Sequence, residues 1–223
     1  MKERPILFNG AMVRAILAGR KTVTRRAMRQ QPILNGRLWE VYGAGWSESV
    51  LGVPAVPGHS LATQCPYGQV GDRLWVRETF MDLRGTGVEH RPDPSGPLQR
   101  YAYAAECPPG SHADATRKDY GLKWRPSIHM PRAACRLLLE ITGVRVERLQ
   151  AITAEQAEAE GVDAAMCRQY LETAPSRHEC KAAAIHGFSG LWAATGGDWP
   201  ANPWVWVVEF QRVQPEAVTG VAA

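Results

Sequence analysis

The residues best suited to chemistry crowd into ILAGRKTVTRR, residues 16–26, where one lysine, three arginines and two threonines fall within the seven positions 20–26. A threonine hydroxyl attacks an electrophile only once a base has taken its proton. A lysine serves as that base only when burial or cationic neighbours lower its pKa. Arg20, Arg25 and Arg26 are such neighbours for Lys21. If the segment is extended, Thr22 and Thr24 share a face with Arg20 and Arg26, while Lys21, Val23 and Arg25 take the other. A looped segment instead brings Lys21 close to Thr24.

A proton donor is offered far along the chain, in TAEQAEAEGV (residues 153–162). Thr153 and Gln156 stand at capping-box spacing and Gly161 is the expected stop, which predicts a short helix. At 100° per residue Glu160 lies on the side of Ala157, while Glu155 and Glu158 point elsewhere. Its place beside the unpaired carbonyls of the last turn disfavours a carboxylate, so a raised pKa is expected, fitting it to hold and release a proton.

The elements that must position these groups follow from pattern. Pro5 to Phe8 read as a strand, and Asn9 caps a helix through Leu17 that Gly19 stops. GDRLWVRETF (71–80) reads as a strand with Leu74 and Val76 on one face and Trp75 and Arg77 on the other. CRLLLEITGVRVERL (135–149) reads as two strands about Thr142-Gly143, and WVWVVEFQRV (204–213) as another. Segments at about 31–67, 81–123 and 163–200 read as long surface insertions, the first two rich in Gly and Pro, and 214–223 as a frayed tail. Many short strands with few helices predict an α+β domain spanning 1–213, a small barrel or curved mixed sheet and not a doubly wound fold.

Composition narrows the classes. A chain of 223 residues, 45% apolar, is expected to bury one core without disulfides. No run is long and apolar enough for a membrane span, and MKERPILF lacks a signal-peptide stretch, so the expectation is a cytoplasmic protein with no membrane partner. Five cysteines at irregular spacing argue against a disulfide framework, and Cys167, His178, Cys180 and His186 fit no common zinc spacing, so neither metal nor cofactor is expected. The phosphate-binding loop, the serine-nucleophile elbow and HExxH are absent from the sequence. Charge is uneven: the net +4 resolves into +7 over residues 1–40, with nine Lys/Arg against Glu3 and Glu40, and −3 over the rest. Such a local field draws in phosphates or another anion, so the expected partner is a nucleoside or nucleic acid. Weaker ligand candidates are Trp75 and Glu78 in the 71–80 strand, and Arg125 and Ser127 in WRPSIHMPR, where His129 also alternates with apolar residues. Trp204 and Trp206 read as packing residues.

ILAGRKTVTRR together with GDRLWVRETF, RPSIHMPR, ITGVRVERLQAITAEQAEAEGV and NPWVWVVEF resembles the ASCH domain proteins, in particular the long form found in phage and prophage genomes. The resemblance implies a PUA-like fold, a small β-barrel with flanking helices related to RNA-binding modules. A short bacterial member is an amidohydrolase that removes the acetyl group of N4-acetylcytidine with a lysine, a threonine and a glutamate. The matching segments carry these onto Lys21 as base, Thr24 as nucleophile and Glu160 as proton donor, with Arg20 and Arg26 as ligand-binding neighbours. This chain is much longer than that enzyme, and its insertions can cover or reshape the site. Two alternatives stay open: a non-catalytic module that binds RNA through the same cations and recognises a modified base, and a metal-independent ribonuclease using Lys21 and a nearby acid.

Overall fold

A computed structural model describes residues 1–36, 38–41, 51–54, 61–93, 95–162 and 177–213. The chain divides into two compact units, one of residues 1–14, 73–140 and 211–223, the other of 15–72 and 141–210. Its class is α+β. In chain order the elements are β1 (Glu3–Leu7), α1 (Gly10–Leu17), β2 (Val23–Ala27), β3 (Ile33–Asn35), β4 (Leu38–Val41), β5 (Leu51–Pro54), β6 (Arg73–Arg77), β7 (Phe80–Asp82), β8 (Tyr101–Tyr103), α2 (His112–Asp119), β9 (Leu138–Arg148), α3 (Ala154–Ala159), α4 (Arg177–Ala194) and β10 (Trp204–Arg212). Five strands form a mixed sheet in the order β1-β6-β9-β10-β2, open at β1 and β2, and no closed barrel forms among the described residues.

In the first unit β1 lies parallel to β6, and β6 antiparallel to the start of β9, Leu74 opposite Leu139. Leu74 and Val76 are buried while Arg73, Trp75 and Arg77 are half-exposed, the alternation expected of a strand with one face on the core. Residues 81–123, expected as a surface insertion, are built instead around β7, β8 and α2. Tyr103 joins Phe80, Met130 and Ala134 in one apolar cluster, and Met81, Leu83 and Ala102 form another. The β7–β8 pairing joins residues some twenty positions apart, which local composition does not reveal.

The second unit holds β2, β3 to β5, most of β9, β10, α3 and α4. Its core is Val23, Leu149, Ile152, Ala157, Ala184, Phe188, Trp192, Val205 and Val207. Residues 31–67, also expected as loop, carry the antiparallel sheet β3-β4-β5 and a short 3-10 turn, Leu61–Gln64, with Leu61 and Ala62 buried. Residues 42–50 and 55–60 lie outside the described residues, as do 163–176 and 214–223. Within the expected 163–200 insertion, residues 177–194 are helix.

The expected hairpin about Thr142-Gly143 is one continuous strand, the eleven residues of β9. Gly143 serves close packing there and not a turn: a Cβ at that position would come 2.6 Å from Glu209 Oε2. Helix α1 starts as expected, Asn9 Oδ1 accepting from the Met12 N–H at 2.9 Å.

Candidate functional site

Helix α3 delivers Glu160. Thr153 caps it, its hydroxyl accepting from the Gln156 N–H while the Gln156 side chain accepts from the Thr153 N–H. Glu160 is the C-cap and Gly161 follows at φ +95°. A side chain at position 161 would be strained by that φ, and its Cβ would also stand 2.9 Å from that of Ala15. Glu155 and Glu158 are exposed and Glu160 is buried, as the helical period predicts.

Lys21 meets it from the other side. The Lys21 N–H donates to Ala15 O at 3.1 Å, and the Thr22 N–H to Ala159 O at 2.9 Å, so the segment entering β2 is tied to both helices' ends. Lys21 is 2% exposed, and its ammonium donates to Glu160 Oε2 at 2.6 Å, Glu160 O at 2.9 Å and Val23 O at 2.8 Å. Burial holds Lys21 below the ordinary lysine value; Glu160 opposes this, and Arg26 and Arg25 push in the same direction as burial. Two of the three arginines expected to tune Lys21 therefore do so. Arg20 is exposed.

Arg25 completes the cluster. Its Nη1 donates to Glu160 Oε1 at 3.3 Å, and its Nη2 to Gln156 Oε1 at 2.7 Å and Glu147 Oε2 at 3.3 Å. Glu147 in turn accepts from Arg145, which also holds Glu209. The result is an alternating line of charge, Lys21, Glu160, Arg25, Glu147, Arg145, Glu209, running from side chains with no exposure at Lys21 and Arg25 to 46% at Glu209. Alternation is what allows two cations to sit in a low-dielectric interior, where each unpaired charge costs several kcal/mol.

Thr24 is buried, at 2% exposure. In the β2–β10 pair it stands opposite Val208, and Arg26 opposite Trp206, while Val23, Arg25, Val205 and Val207 share the other face, toward the core. The extended alternative for this segment is thus the one observed from Val23 onward. Among the described residues no hydrogen bond involves the Thr24 hydroxyl. Its backbone adjoins a group bound to the pair. The carbonyl that Lys21 Nζ binds is that of Val23, which forms the peptide bond to Thr24. Glu160 accepts from Arg25, and its charge acts on Arg26. Arg26 is itself held below the ordinary arginine value by burial, with Tyr67 and Glu160 opposing.

Trp75, Glu78, Arg125 and Ser127 belong to the first unit. Trp75 has the guanidinium of Arg77 5.4 Å and that of Arg132 6.0 Å from its ring centre. Glu78 is 1% exposed and takes a two-pronged bond from Arg136, 2.8 and 3.0 Å, and burial pushes its carboxyl above the usual range. Arg125 is exposed and pairs through its backbone with Phe80. Ser127 opens a 3-10 turn whose Met130 N–H donates to the Ser127 carbonyl. Trp206 is buried, and Trp204 packs beneath Arg148 at 4.5 Å. Cys167 and the side chains of His178 and Cys180 lie outside the described residues, among which no group of three or more His, Cys, Asp or Glu is arranged to hold a metal.

Arg25, Glu147, Gln156 and Tyr67 are the residues sequence reasoning did not assign to the site. Gln156 was visible only as a cap, and nothing local marks a capping glutamine as a partner for an arginine 131 positions away. Arg25 was legible as a cationic neighbour of Lys21 and by its place on the same strand face as Lys21 and Val23, but not as a partner of Glu160.

No membrane-crossing helix, long and apolar enough for a bilayer, occurs among the described residues. Comparison of the chain with family models, with curated proteins and with solved structures finds no match.

Proposed function

We propose that the second unit is an amidohydrolase acting on an acylated nucleoside or base such as N4-acetylcytidine, on a PUA-like scaffold of the ASCH type. The observation that carries the reading is the buried 2.6 Å contact of Lys21 Nζ with Glu160 Oε2, anchored on the peptide that leads into Thr24. A neutral lysine amine has two N–H groups and one lone pair. The two carbonyls that Lys21 Nζ binds require donors, and two N–H groups meet them. Burial lowers the Lys21 value, the direction that suits a base. The reading assigns Lys21 as the amine base and Glu160 as the acid, the two groups amide cleavage needs.

In the proposed reaction Lys21 takes the Thr24 proton as Oγ1 attacks the acetamide carbonyl. The tetrahedral adduct collapses with cleavage of the C–N bond, and Glu160 protonates the departing exocyclic amine. Water then attacks the acetyl-threonine ester, releasing acetate and returning the proton to Thr24, so that amide and water become amine and acetate. Arg26, on the same face of β2 as Thr24, supplies positive charge where the oxyanion develops.

The test is incubation of the full-length protein with N4-acetylcytidine, following cytidine by chromatography. Thr24→Val, which conserves shape, is expected to lower turnover by about 10³-fold or more with unchanged circular dichroism. No cytidine from wild type at high enzyme concentration sinks this substrate, and undiminished turnover by Thr24→Val sinks the nucleophile.

A second reading, RNA binding without catalysis, is favoured by the half-exposed Trp75 of the first unit with two guanidiniums at its ring, a combination suited to a base and its phosphates. It requires salt-sensitive binding that persists in Thr24→Val.

A further inference from the structure

Glu160 presents its two carboxylate oxygens to two different cations, Oε2 to Lys21 Nζ at 2.6 Å and Oε1 to Arg25 Nη1 at 3.3 Å. Its own torsions do not choose that arrangement. The last torsion of a glutamate joins a tetrahedral to a planar carbon and is broad, so the plane of the carboxyl is set by its partners. Contact with Lys21 at one oxygen leaves that plane free to turn; Arg25 supplies the second hold.

Arg25 is in turn held elsewhere. Its shortest side-chain bond runs from Nη2 to Gln156 Oε1, 2.7 Å, against 3.3 Å to each of Glu160 and Glu147. Gln156 and Glu160 stand one helical turn apart, and the planar fork spans them, Nη2 on the first and Nη1 on the second. The Gln156 oxygen is itself fixed, because it also accepts from the Thr153 N–H at 3.1 Å as half of the capping box, which uses both its lone pairs. The Arg25 side chain has no exposure, so water does not compete for the fork, and the Phe188 ring lies 5.9 Å from its Cζ. A capping box takes glutamate as readily as glutamine. A glutamate at 156 would take the charge of Arg25 as well as its hydrogen bond, whereas the neutral amide leaves that charge to Glu160 and Glu147.

We propose that Gln156 is a positioning residue of the site: through Arg25 it fixes the plane of the Glu160 carboxyl and keeps Oε2 on Lys21. The cap of a short helix and the acid of the site are then one device. Its bearing on catalysis rests on the deacetylase reading; the hold on the carboxyl does not.

Gln156→Met and Thr153→Ala each remove one bond of the capping box, but only the first removes the acceptor of Arg25 Nη2. Both are made in the full-length protein and followed by proton–nitrogen NMR of the Arg25 Nη and Lys21 Nζ groups and by steady-state kinetics on N4-acetylcytidine. A fork held at both ends turns slowly about Nε–Cζ and gives separate Nη signals. In Gln156→Met these should merge, the Lys21 Nζ signal should move, and kcat should fall about ten-fold or more with KM within about two-fold. Thr153→Ala should keep the separate Nη signals and the Lys21 signal in place, with kcat within about two-fold of wild type. Arg25→Lys, which keeps the charge but cannot span both positions, should reproduce the Lys21 shift and the fall in kcat. The inference is overturned if the Arg25 signals stay separate in Gln156→Met, if the Lys21 signal does not move there, or if both cap variants lose kcat alike. Absence of cytidine from wild type removes the deacetylase reading only, and the two sets of NMR signals then decide the positioning role by themselves.

Discussion

Replacing Glu160 by Gln keeps the shape of the C-cap and removes its charge. In the native chain that charge is shared by Lys21 at 2.6 Å and Arg25 at 3.3 Å, all three groups buried. Arg25 retains Glu147 and Gln156, whereas Lys21 loses the carboxylate at 2.6 Å and keeps the Val23 and Glu160 carbonyls, which offer dipoles in place of an opposite charge. An uncompensated buried charge costs about 3–5 kcal/mol. Lys21 has one escape, to fold as the free amine. With an ordinary value of 10.5, each pH unit below that adds about 1.4 kcal/mol to the cost of deprotonation, so the Lys21 contribution is capped at about 5 kcal/mol at pH 7 and about 1.4 kcal/mol at pH 9.5. The sign follows from linkage: a lysine held below its ordinary value binds its proton more tightly in the unfolded chain, so stability rises with pH up to about 10.5. Urea unfolding of Glu160→Gln and wild type at the two pH values measures the difference. A loss of about 3–5 kcal/mol at pH 7 that shrinks to roughly a third at pH 9.5 is expected. A loss below about 1 kcal/mol at pH 7, or one that is the same at both pH values, refutes the picture of a charged Lys21 dependent on this carboxylate.

Two further changes probe the frame of each unit. Gly161→Ala sets a Cβ 2.9 Å from that of Ala15 at φ +95°, and should lower stability in chemical denaturation by about 2 kcal/mol or more while reducing deacetylation, because Glu160 is the preceding residue; a neutral effect on both would show that the turn tolerates a side chain. Arg136→Met leaves Glu78 buried without its two-pronged partner and should cost about 3 kcal/mol or more at pH 7. Glu78 already lies above its ordinary 4.5, so its contribution is held below that pH and lost as pH rises through the raised value; the Arg136→Met deficit should therefore shrink toward pH 4.5, and a flat profile across that range would contradict the buried carboxyl.

What could be read from the sequence was local. The capping box of Thr153 and Gln156, the inward turn of Glu160 and the burial of Leu137, Leu139 and Ile141 each depend on a periodicity within a few residues, and each is present in the fold. The pairing of Lys21 with Glu160 spans 139 positions, and no pattern internal to either segment specifies it. The matching of Lys21 to that glutamate came from the family resemblance, while its burial follows from the Ala15, Ala159 and Val23 carbonyls that tie the segment down. Thr142-Gly143 was misread because a glycine needed for close approach to Glu209 has the same letter as one needed to turn a chain. Residues 31–67 and 81–123 were misread because strands of three or four residues, set among Gly- and Pro-rich stretches, take their order from partners distant in sequence, Leu38 from Pro54 and Phe80 from Tyr103.

Stability alone gives no reason for an ion pair at this place in the core. A buried pair commonly contributes no more than apolar residues of the same volume, since desolvation offsets most of the attraction. Here the interior holds Lys21 and Arg25 with no side-chain exposure, and it needs a carboxylate, a capping glutamine and a second glutamate in a fixed arrangement to do so. An apolar core already surrounds them, and leucine or methionine would fill the volume without any of these partners. The arrangement provides something packing does not: a lysine and a glutamate at 2.6 Å, with burial holding the lysine below its ordinary value, next in sequence to an edge strand that carries the buried Thr24. A lysine shifted in that direction is what a base requires and a structural pair does not, and it is the physical ground for the amidohydrolase proposal.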